Sequence, residues 1–449
     1  MIRSIFLIGV LLCATPTFAE VGPEEAARLE GELTPLGAIR AGNEAGTIPP
    51  WDGGIREPPP GYQPGHHLVD PFADDRVLFT ITAANLAEHA DKLSPGQLAM
   101  FERYPDTWRM TVYPTRRSAS YPARIYQATT ANATTARLTD DGNGVAEAAG
   151  GYPFPIPQSG LEALWNHLLR FRGISLHRIT SQVVPTAGGA YSEVILEERA
   201  LWPLFEPGAT VASIDNRFAY LLQEVKAPAR LAGQIVLVHE TLNQNAEPRE
   251  AWVYQAGQRR VRRVPTLAYD HPGTAADGQR TADQLDMFNG APDRYDWRLV
   301  GRREVYVPYN DYRLQDGGVR HDQLIQPGHL NPDFLRYELH RVWEVDARLK
   351  DGASHVYARR TFFLDEDSWQ ILIGDHYDDQ GRLWRVAEAH TINYYQVPMV
   401  WETLLAIYDL QNGRYLAFGL NNELPPDRFD EPMSKADFTP DALRRLGRR

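Results

Sequence analysis

The chain has 449 residues, of which 58 are acidic and 46 are Lys or Arg, so its formal net charge at pH 7 is −12. A surface of this sign repels nucleic acid, and the length allows one large domain with a sizeable core. Cysteine occurs once, at Cys13, which excludes a disulfide framework and a structural zinc site built from cysteines.

The first residues predict an export signal. Arg3 provides a short positive region, Ile5 to Cys13 form an apolar run, and Thr17 and Ala19 are small residues at the positions that a signal peptidase reads. The run is too short for a transmembrane helix, which needs about 20 apolar residues. We expect residues 1–19 to be removed. The bulky Leu12 before Cys13 argues against lipid attachment, so we also expect a freely diffusing protein.

The mature chain is predicted to form an arm and one domain. Residues 20–75 are rich in Gly and Pro, which indicates an extended arm on the surface. Residues 76–449 are predicted to form a single large domain with helices near 82–104 and 159–172. In the first region, Thr82 is a candidate N-cap for a helix through Leu93, and Ser94-Pro95 begins another.

The clearest helix is predicted from Ser159 to Arg172. Ser159 is the candidate N-cap, and Glu162 follows at the spacing of a capping box. Five apolar residues then fall on one stripe: Leu161, Leu164, Trp165, Leu168 and Leu169. We expect this stripe to close or line a cavity.

Strand patterns dominate from about residue 190. Residues 337–349 alternate between apolar and mostly polar side chains, and turn signals such as Asp351-Gly352 and Asn412-Gly413 recur after them. The predicted fold class is α+β and mostly β. It is a large curved antiparallel sheet, a half-barrel, with a few helices packed on or plugging its concave face.

No strong catalytic signature is present. The chain contains no G-x-S-x-G, H-E-x-x-H, P-loop or G-x-G-x-x-G motif, and its 13 histidines are scattered. Asp365-Glu366-Asp367 resembles a carboxylate pair for hydrolysis, but its position predicts a hairpin turn with side chains that cap backbone amides. We therefore predict no enzymatic activity, no cofactor and no metal site.

Two features suggest contact surfaces. The densest positive run contains Arg259, Arg260, Arg262 and Arg263, which would meet lipid phosphates or an acidic partner, or simply form a solvated hairpin edge. Large aromatic side chains, among them Trp202, Trp252, Tyr254, Trp343, Trp384 and Trp401, would line an apolar cavity or pack in the core.

Several longer phrases resemble the DUF1329 family of proteobacterial exported proteins. They are LTPLGA at 33–38, GTIPPW at 46–51, VYPTRR at 112–117, YPFPIP at 152–157 followed by Trp165-Asn166-His167, and QLDMFNGAPDRYDW at 284–297. The resemblance covers essentially the whole mature chain and implies a periplasmic location. It brings no established activity and no catalytic residues.

A second resemblance lies within the first. Residues 248–254 and 260–264 are similar to a segment of the LolA/LolB-like lipoprotein-sorting fold. That likeness implies a half-barrel closed by helices over a cavity for acyl chains, and hence the handling of a hydrophobic molecule between membranes. Members of the family are often encoded beside an outer-membrane barrel-like protein and a transporter of the resistance-nodulation-division (RND) type, which implies such partners.

Two functional hypotheses follow. The first is a non-catalytic periplasmic carrier or chaperone for a lipid or other hydrophobic ligand, which serves an envelope transport system at the outer membrane. Its cavity would be lined by Leu161, Leu164, Trp165, Leu168, Leu169, Trp252, Tyr254 and Trp343. The alternative is an accessory subunit that docks on an outer-membrane barrel or RND-type transporter through the arm and the arginine run, with peripheral membrane contact and no ligand of its own.

Overall fold

The computed structural model describes residues 21–139, 141–264 and 269–447. The predicted export signal, its cleavage point after Ala19 and Cys13 lie outside these residues. Within the described ranges, no helix combines the length and the apolar character needed to cross a membrane.

Helices are few and short. In chain order they are α1 (Pro23–Ala26), α2 (Pro95–Arg103), α3 (Ala123–Asn132), α4 (Gly160–Leu168), α5 (His321–Leu324) and α6 (Pro440–Leu446).

Strands form most of the regular structure. In chain order they are β1 (Phe79–Ile81), β2 (Met110–Val112), β3 (Arg137–Leu138), β4 (Val145–Ala146), β5 (Ser175–Val183), β6 (Val194–Leu201), β7 (Arg217–Ala227), β8 (Ile235–Thr241), β9 (Glu250–Gln255), β10 (Arg260–Arg263), β11 (Tyr295–Pro308), β12 (Tyr337–Leu349), β13 (Arg359–Asp365), β14 (Ile371–Tyr377), β15 (Leu383–Asn393), β16 (Val400–Asp409), β17 (Tyr415–Leu420) and β18 (Arg428–Phe429).

One large sheet contains two meanders. The first meander is β5 to β10 and the second is β11 to β17, each with neighbours paired antiparallel in chain order. Strand β17 pairs with β5 and joins the meanders, a junction that we call the seam. The pairing path begins at β1 and ends at β10, so the sheet is open and does not close into a barrel. The predicted fold class, mostly β with an antiparallel sheet and few helices, is confirmed.

Bulges interrupt the register of the long strands. Shifts occur between Leu299 and Gly301 in β11, between His390 and Thr391 in β15, and between Phe418 and Leu420 at the seam. Each bulge bends its strand and increases the local twist, as expected for a sheet that curves around its contents. One parallel contact, between Val112 of β2 and Tyr337 of β12, attaches the first strand pair to the sheet.

Helix α4 packs against β11 and β12 as part of the main core. The Ser159 hydroxyl accepts a hydrogen bond from the Glu162 amide at 3.2 Å, which confirms the predicted N-cap. The helix ends at Leu168 rather than at Arg172, because Arg170 and Arg172 turn toward the buried carboxylate of Asp286.

The first predicted helical region is only partly helical. Helix α2 begins after Ser94, whose side chain forms a capping box with Gln97. Between Thr82 and Leu93 there are short 3₁₀ turns in place of a helix. The Asn85 side chain accepts from the Thr82 amide at 2.7 Å and donates to the Thr80 carbonyl at 3.1 Å, so it satisfies backbone groups locally.

Residues 21–75 run along the sheet domain and are tied to it at separate points. Leu29 and Leu33 are buried beside Ala133, the Ile55 amide donates to the Ser118 carbonyl at 2.9 Å, and the Val69 amide donates to the Tyr395 hydroxyl at 2.7 Å.

The acidic turn, Asp365, Glu366 and Asp367, connects β13 to β14 as predicted, but its side chains do not cap the turn. All three are buried. Asp367 accepts two hydrogen bonds from Arg117, at 2.8 and 2.7 Å, and Glu366 accepts one from Arg341 at 2.6 Å. Burial and the adjacent charge of Asp367 raise the pKa of Asp365 to about 6. The predicted turn is therefore confirmed, whereas ion pairs with arginines from distant segments take the place of the predicted capping of backbone amides.

Replacing Arg117 with Met tests this network. The change leaves the Asp367 carboxylate buried without its cation, which should lower the free energy of unfolding by about 3–5 kcal/mol in urea titrations. The adjacent Arg116 is the matched control, because its half-exposed side chain pairs with Asp75 and its loss should cost about 1 kcal/mol or less. Equal losses for the two variants would contradict the structural role of Arg117.

Candidate functional site

The main candidate site is a pocket on one face of the first meander. Strand register places four residues from β5, β6, β7 and β8 in one line across the sheet, which we call the apolar row: Leu176, Ala200, Leu221 and Val238. Two tryptophans, Trp202 and Trp401, also line the pocket, with their ring centroids 6.1 Å apart in an edge-to-face contact.

The next line is polar on β5, β6 and β7 and continues with Val236 on β8. Arg178, Glu198 and Gln223 are cross-strand neighbours. The Arg178 guanidinium donates to Glu198 at 2.6 Å, and the Gln223 amide donates to the other oxygen of Glu198 at 2.8 Å. The pocket thus has an apolar half and a half lined by charged groups.

Residues 273–289 and strand β16 form the opposite wall. The cavity volume is about 100 Å³, and the space between the lining residues reaches about 870 Å³ when the open mouth is included. For comparison, a dry cavity of about 150 Å³ holds a benzene molecule. The cavity therefore accommodates part of one chain-like ligand, and longer parts would extend through the mouth.

Asp286 anchors this wall. Its carboxylate pairs with Arg170 and Arg172, and it accepts a hydrogen bond from the Trp401 indole at 3.0 Å. Burial alone would raise the pKa of Asp286, but the two guanidinium groups outweigh it and hold the pKa below its ordinary range. Asp286 is therefore an ionised structural residue at neutral pH.

Arg280 is a buried arginine of the pocket whose charge has no partner among the described residues. Its side chain is buried, and within the described part of the chain its guanidinium has neither a hydrogen-bond partner nor a carboxylate at salt-bridge distance. The Arg280 Cζ lies 5.4 Å from the ring centre of Phe418. Burial lowers the pKa of Arg280 to about 10, although the charges of Glu198 and Glu402 act in the opposite direction.

Glu402 is a buried acid near the start of strand β16. Its Oε2 atom has no hydrogen-bond partner among the described residues. Burial, followed by the nearby charge of Asp286, raises the pKa of Glu402 from 4.5 to about 8. Glu402 is therefore mostly a neutral carboxylic acid at pH 7, able to donate a hydrogen bond.

The predicted cavity residues lie elsewhere. Leu164, Trp165, Leu168 and Leu169 are buried in the main core, with Leu161 packed against it, and none of the five is among the residues that line this pocket. The Trp165 indole donates to the Gly142 carbonyl at 3.0 Å.

The other three residues predicted to line the cavity, Trp252, Tyr254 and Trp343, also lie outside the pocket lining. Tyr254 donates to the Gly447 carbonyl at 2.7 Å, and Trp252 packs beside it with its ring 4.7 Å from His239. Trp343 stacks on Trp369 with ring centres 6.1 Å apart.

The predicted arginine run forms the exposed hairpin that ends the sheet. Arg259 is in the turn, and Arg260, Arg262 and Arg263 are exposed on β10. Arg263 pairs with Glu250 at 2.7 Å.

Sequence reasoning missed the polar residues of the site. Arg178, Arg280 and Glu402 belong to no motif, although Trp202 and Trp401 were among the aromatic candidates. One signal was available: Glu402 interrupts the apolar sequence of β16, in which every residue is buried. A charged residue inside such a strand indicates a buried polar site.

Two other groups bring histidine and carboxylates together. Ligand atoms of Glu193, His321 and Glu423 lie within 4.8 Å of one another, as do those of His340, Asp365 and Asp367. Glu193 and Glu423 already pair with His321, and both oxygens of Asp367 are occupied by Arg117. These contacts account for both groups as structural pairs.

The fold and the site define an open-sheet protein with an apolar pocket that contains buried charges. Residues 80–444 match the DUF1329 family, whose description is "protein of unknown function". The chain belongs to this family, as the resemblance predicted. It is also 49% identical over 442 residues to an uncharacterized Pseudomonas aeruginosa protein, PA3922, covering 98% of this chain and 97% of that one.

Solved structures match more distantly. A DUF1329 family protein from Desulfovibrio piger has a TM-score of 0.42 and 15% identity, covering 60% of this chain and 92% of that one. A LolA superfamily protein from Nitrosomonas europaea has a TM-score of 0.37 and 14% identity, covering 64% of this chain and 100% of that one. A Vibrio parahaemolyticus domain provisionally assigned to outer membrane lipoprotein sorting has a TM-score of 0.44 and 13% identity, covering 64% of this chain and 98% of that one.

The raised pKa of Glu402 gives a pH prediction. The folded protein keeps the Glu402 proton up to about pH 8, whereas the unfolded chain releases it near pH 4.5. The Glu402 proton therefore stabilises the folded state at low pH, and this contribution to the free energy of unfolding is lost as the pH rises from about 4.5 to about 8. In urea titrations at pH 5.5, 7 and 8.5, the free energy of unfolding of Glu402→Gln should decline with pH less steeply than that of the wild type, by up to about 1.4 kcal/mol per pH unit. The exposed Glu206→Gln should follow the wild-type profile. If the free energies of unfolding of Glu402→Gln and the wild type changed with pH in parallel, Glu402 would not be protonated in the folded protein at neutral pH.

Proposed function

We propose that this protein is a non-catalytic carrier of the cell envelope that binds a hydrophobic ligand in the pocket of the first meander. The observation that carries the proposal is the apolar row. Leu176, Ala200, Leu221 and Val238 line one side of the pocket, and the Leu221 side chain keeps part of its surface exposed there. Apolar surface that faces a cavity is stabilised by about 25 cal/mol per Å² when an apolar ligand covers it.

The lining supports binding rather than catalysis. Around the pocket, the described residues include no Ser, Cys, His or Lys, the side chains that most often act as nucleophile or base. The ionised acid Asp286 is occupied by Arg170 and Arg172. The polar groups present fit the orientation of a ligand better than a reaction on it.

The predicted export signal supports a periplasmic location, and the small cavity favours one apolar chain over a ligand with two. We further propose that the carrier delivers its ligand to an envelope transport system at the outer membrane, as expected from the family resemblance.

Docking on a membrane partner is the second candidate, favoured by the exposed arginines of β10. Arg260 and Arg262 lie on the last strand of the sheet, where an acidic or phosphate-bearing surface could approach. Crosslinking from Arg262→Cys in envelope preparations tests this role, because Cys13 is predicted to leave with the signal. Crosslinks to a barrel or RND-type protein support docking, and crosslinks to none count against it.

Changing the apolar row should remove binding of apolar probes. Leu221 is only partly buried in the pocket, so an Asp there adds a charge with a smaller loss of packing than at the fully buried members of the row. We expect the affinity for N-phenyl-1-naphthylamine, measured by fluorescence, to fall about tenfold or more in Leu221→Asp.

Leu78 provides a matched control because it is an exposed leucine, 58% accessible, that is not among the pocket residues. Leu78→Asp should bind the dye as the wild type does, and circular dichroism should show both variants folded. Unchanged dye binding by folded Leu221→Asp would refute the assignment of this pocket. Substitutions in α4 are less informative, since Leu164 and Trp165 are buried in the core and their loss would unfold the protein.

A further inference from the structure

Arg280 differs from the other arginines around the pocket. Arg172 pairs with Asp286, Arg178 with Glu198, Arg199 with Glu197, and Arg249 with Glu240. Arg280 alone among the described arginines of the lining has no carboxylate within salt-bridge distance. A buried cation without a partner is costly, and an anion supplied from outside would offset that cost.

Two close contacts position the Arg280 side chain. Its guanidinium lies against the ring of Phe418 on the seam strand β17. A Cβ on Gly273 would lie 3.2 Å from the Arg280 Cζ, so the chain approaches the guanidinium closely there because residue 273 is glycine. The guanidinium therefore contacts both elements and is among the groups that line the pocket.

Glu402 adds a second group for an anion. Its Oε2 atom is buried without a partner, and Glu402 is close enough to affect the pKa of Arg280. A neutral carboxylic acid donates one hydrogen bond, whereas a carboxylate would repel an anion. The site then offers a cation and a neutral donor beside the apolar row.

We propose that the ligand is a single-chain amphiphile with a carboxylate head, which Arg280 binds while the apolar row receives the chain. This inference rests on the proposed carrier function and specifies its ligand class. One guanidinium matches one carboxylate with two parallel hydrogen bonds. The small cavity receives part of one chain, and a single guanidinium neutralises one carboxylate but only part of the charge of a phosphate monoester.

Affinities of three ten-carbon probes test the head group. Decanoate, decanol and decyl phosphate share one chain and differ in the head, and isothermal titration at pH 7 below their micelle concentrations compares them. We expect the wild type to bind decanoate about tenfold more tightly than decanol and more tightly than decyl phosphate. Tighter binding of decyl phosphate would overturn the carboxylate assignment.

Arg280→Gln tests the residue. We expect it to lose about tenfold in decanoate affinity and to bind decanol within twofold of the wild type. Arg260→Gln on the exposed edge is the matched substitution and also tests the arginine run predicted as a head-group contact. If Arg260→Gln lost decanoate affinity while Arg280→Gln bound decanoate as tightly as the wild type, the proposal would be overturned.

The outcomes separate this inference from the carrier function. If the wild type binds neither decanoate nor decanol, the proposed function fails. If it binds both equally, the pocket binds apolar chains but the head-group inference fails. This comparison needs no variant, so it remains decisive if Arg280→Gln does not fold.

The pH dependence of binding provides an independent check. Glu402 on β16 faces Arg178 from β5, Arg170 from the segment after α4, and Arg280 and Asp286 from the opposite wall. When Glu402 ionises above about pH 8, its charge competes with the ligand for Arg280. Decanoate affinity should fall severalfold between pH 7 and 9 in the wild type and stay level in Glu402→Gln. A fall of equal size in both would contradict the role of Glu402.

Discussion

The buried carboxylate of Asp286 connects the parts of the chain on which the pocket depends. It pairs with Arg170 and Arg172 after α4 and accepts from Trp401 on β16, while its own carbonyl lies 2.9 Å from the His167 imidazole. Its backbone has a φ of 54°, a left-handed conformation that Asp adopts more readily than most residues. One side chain therefore fixes a helix end, a sheet strand and a loop relative to one another.

This anchoring also explains the charge distribution in the pocket. Asp286 pairs with the two arginines closest to it, and its charge contributes to keeping Glu402 protonated. Arg280 enters from the same wall but stays outside the network. Among the described residues of the lining, the paired arginines hold the wall in place, and Arg280, which has no carboxylate partner, is the arginine that we propose binds the ligand.

The sequence was sufficient for local structure and insufficient for the site. The alternation over residues 337–349 marks β12, and Ser159 marks the start of α4, because both patterns depend on neighbours in sequence. The apolar stripe of α4 showed that one face is buried but not what covers it, so a core helix was expected to line a cavity. The pocket depends on pairing between Arg178 and Glu198 and on the approach of Glu402, contacts that no local pattern specifies.

The seam has a consequence for the order of folding. Each meander is built from hairpins between consecutive strands, whereas β5 and β17 pair across a long stretch of intervening chain through three residue pairs. Contacts of such sequence separation form late because the loop that they close is entropically costly. Arg178 of β5, Trp401 of β16 and the Phe418 support of Arg280 meet only at this junction. A molecule with both meanders formed but the seam open would lack these parts of the pocket, so a ligand bound in the proposed site would stabilise the closed seam by mass action.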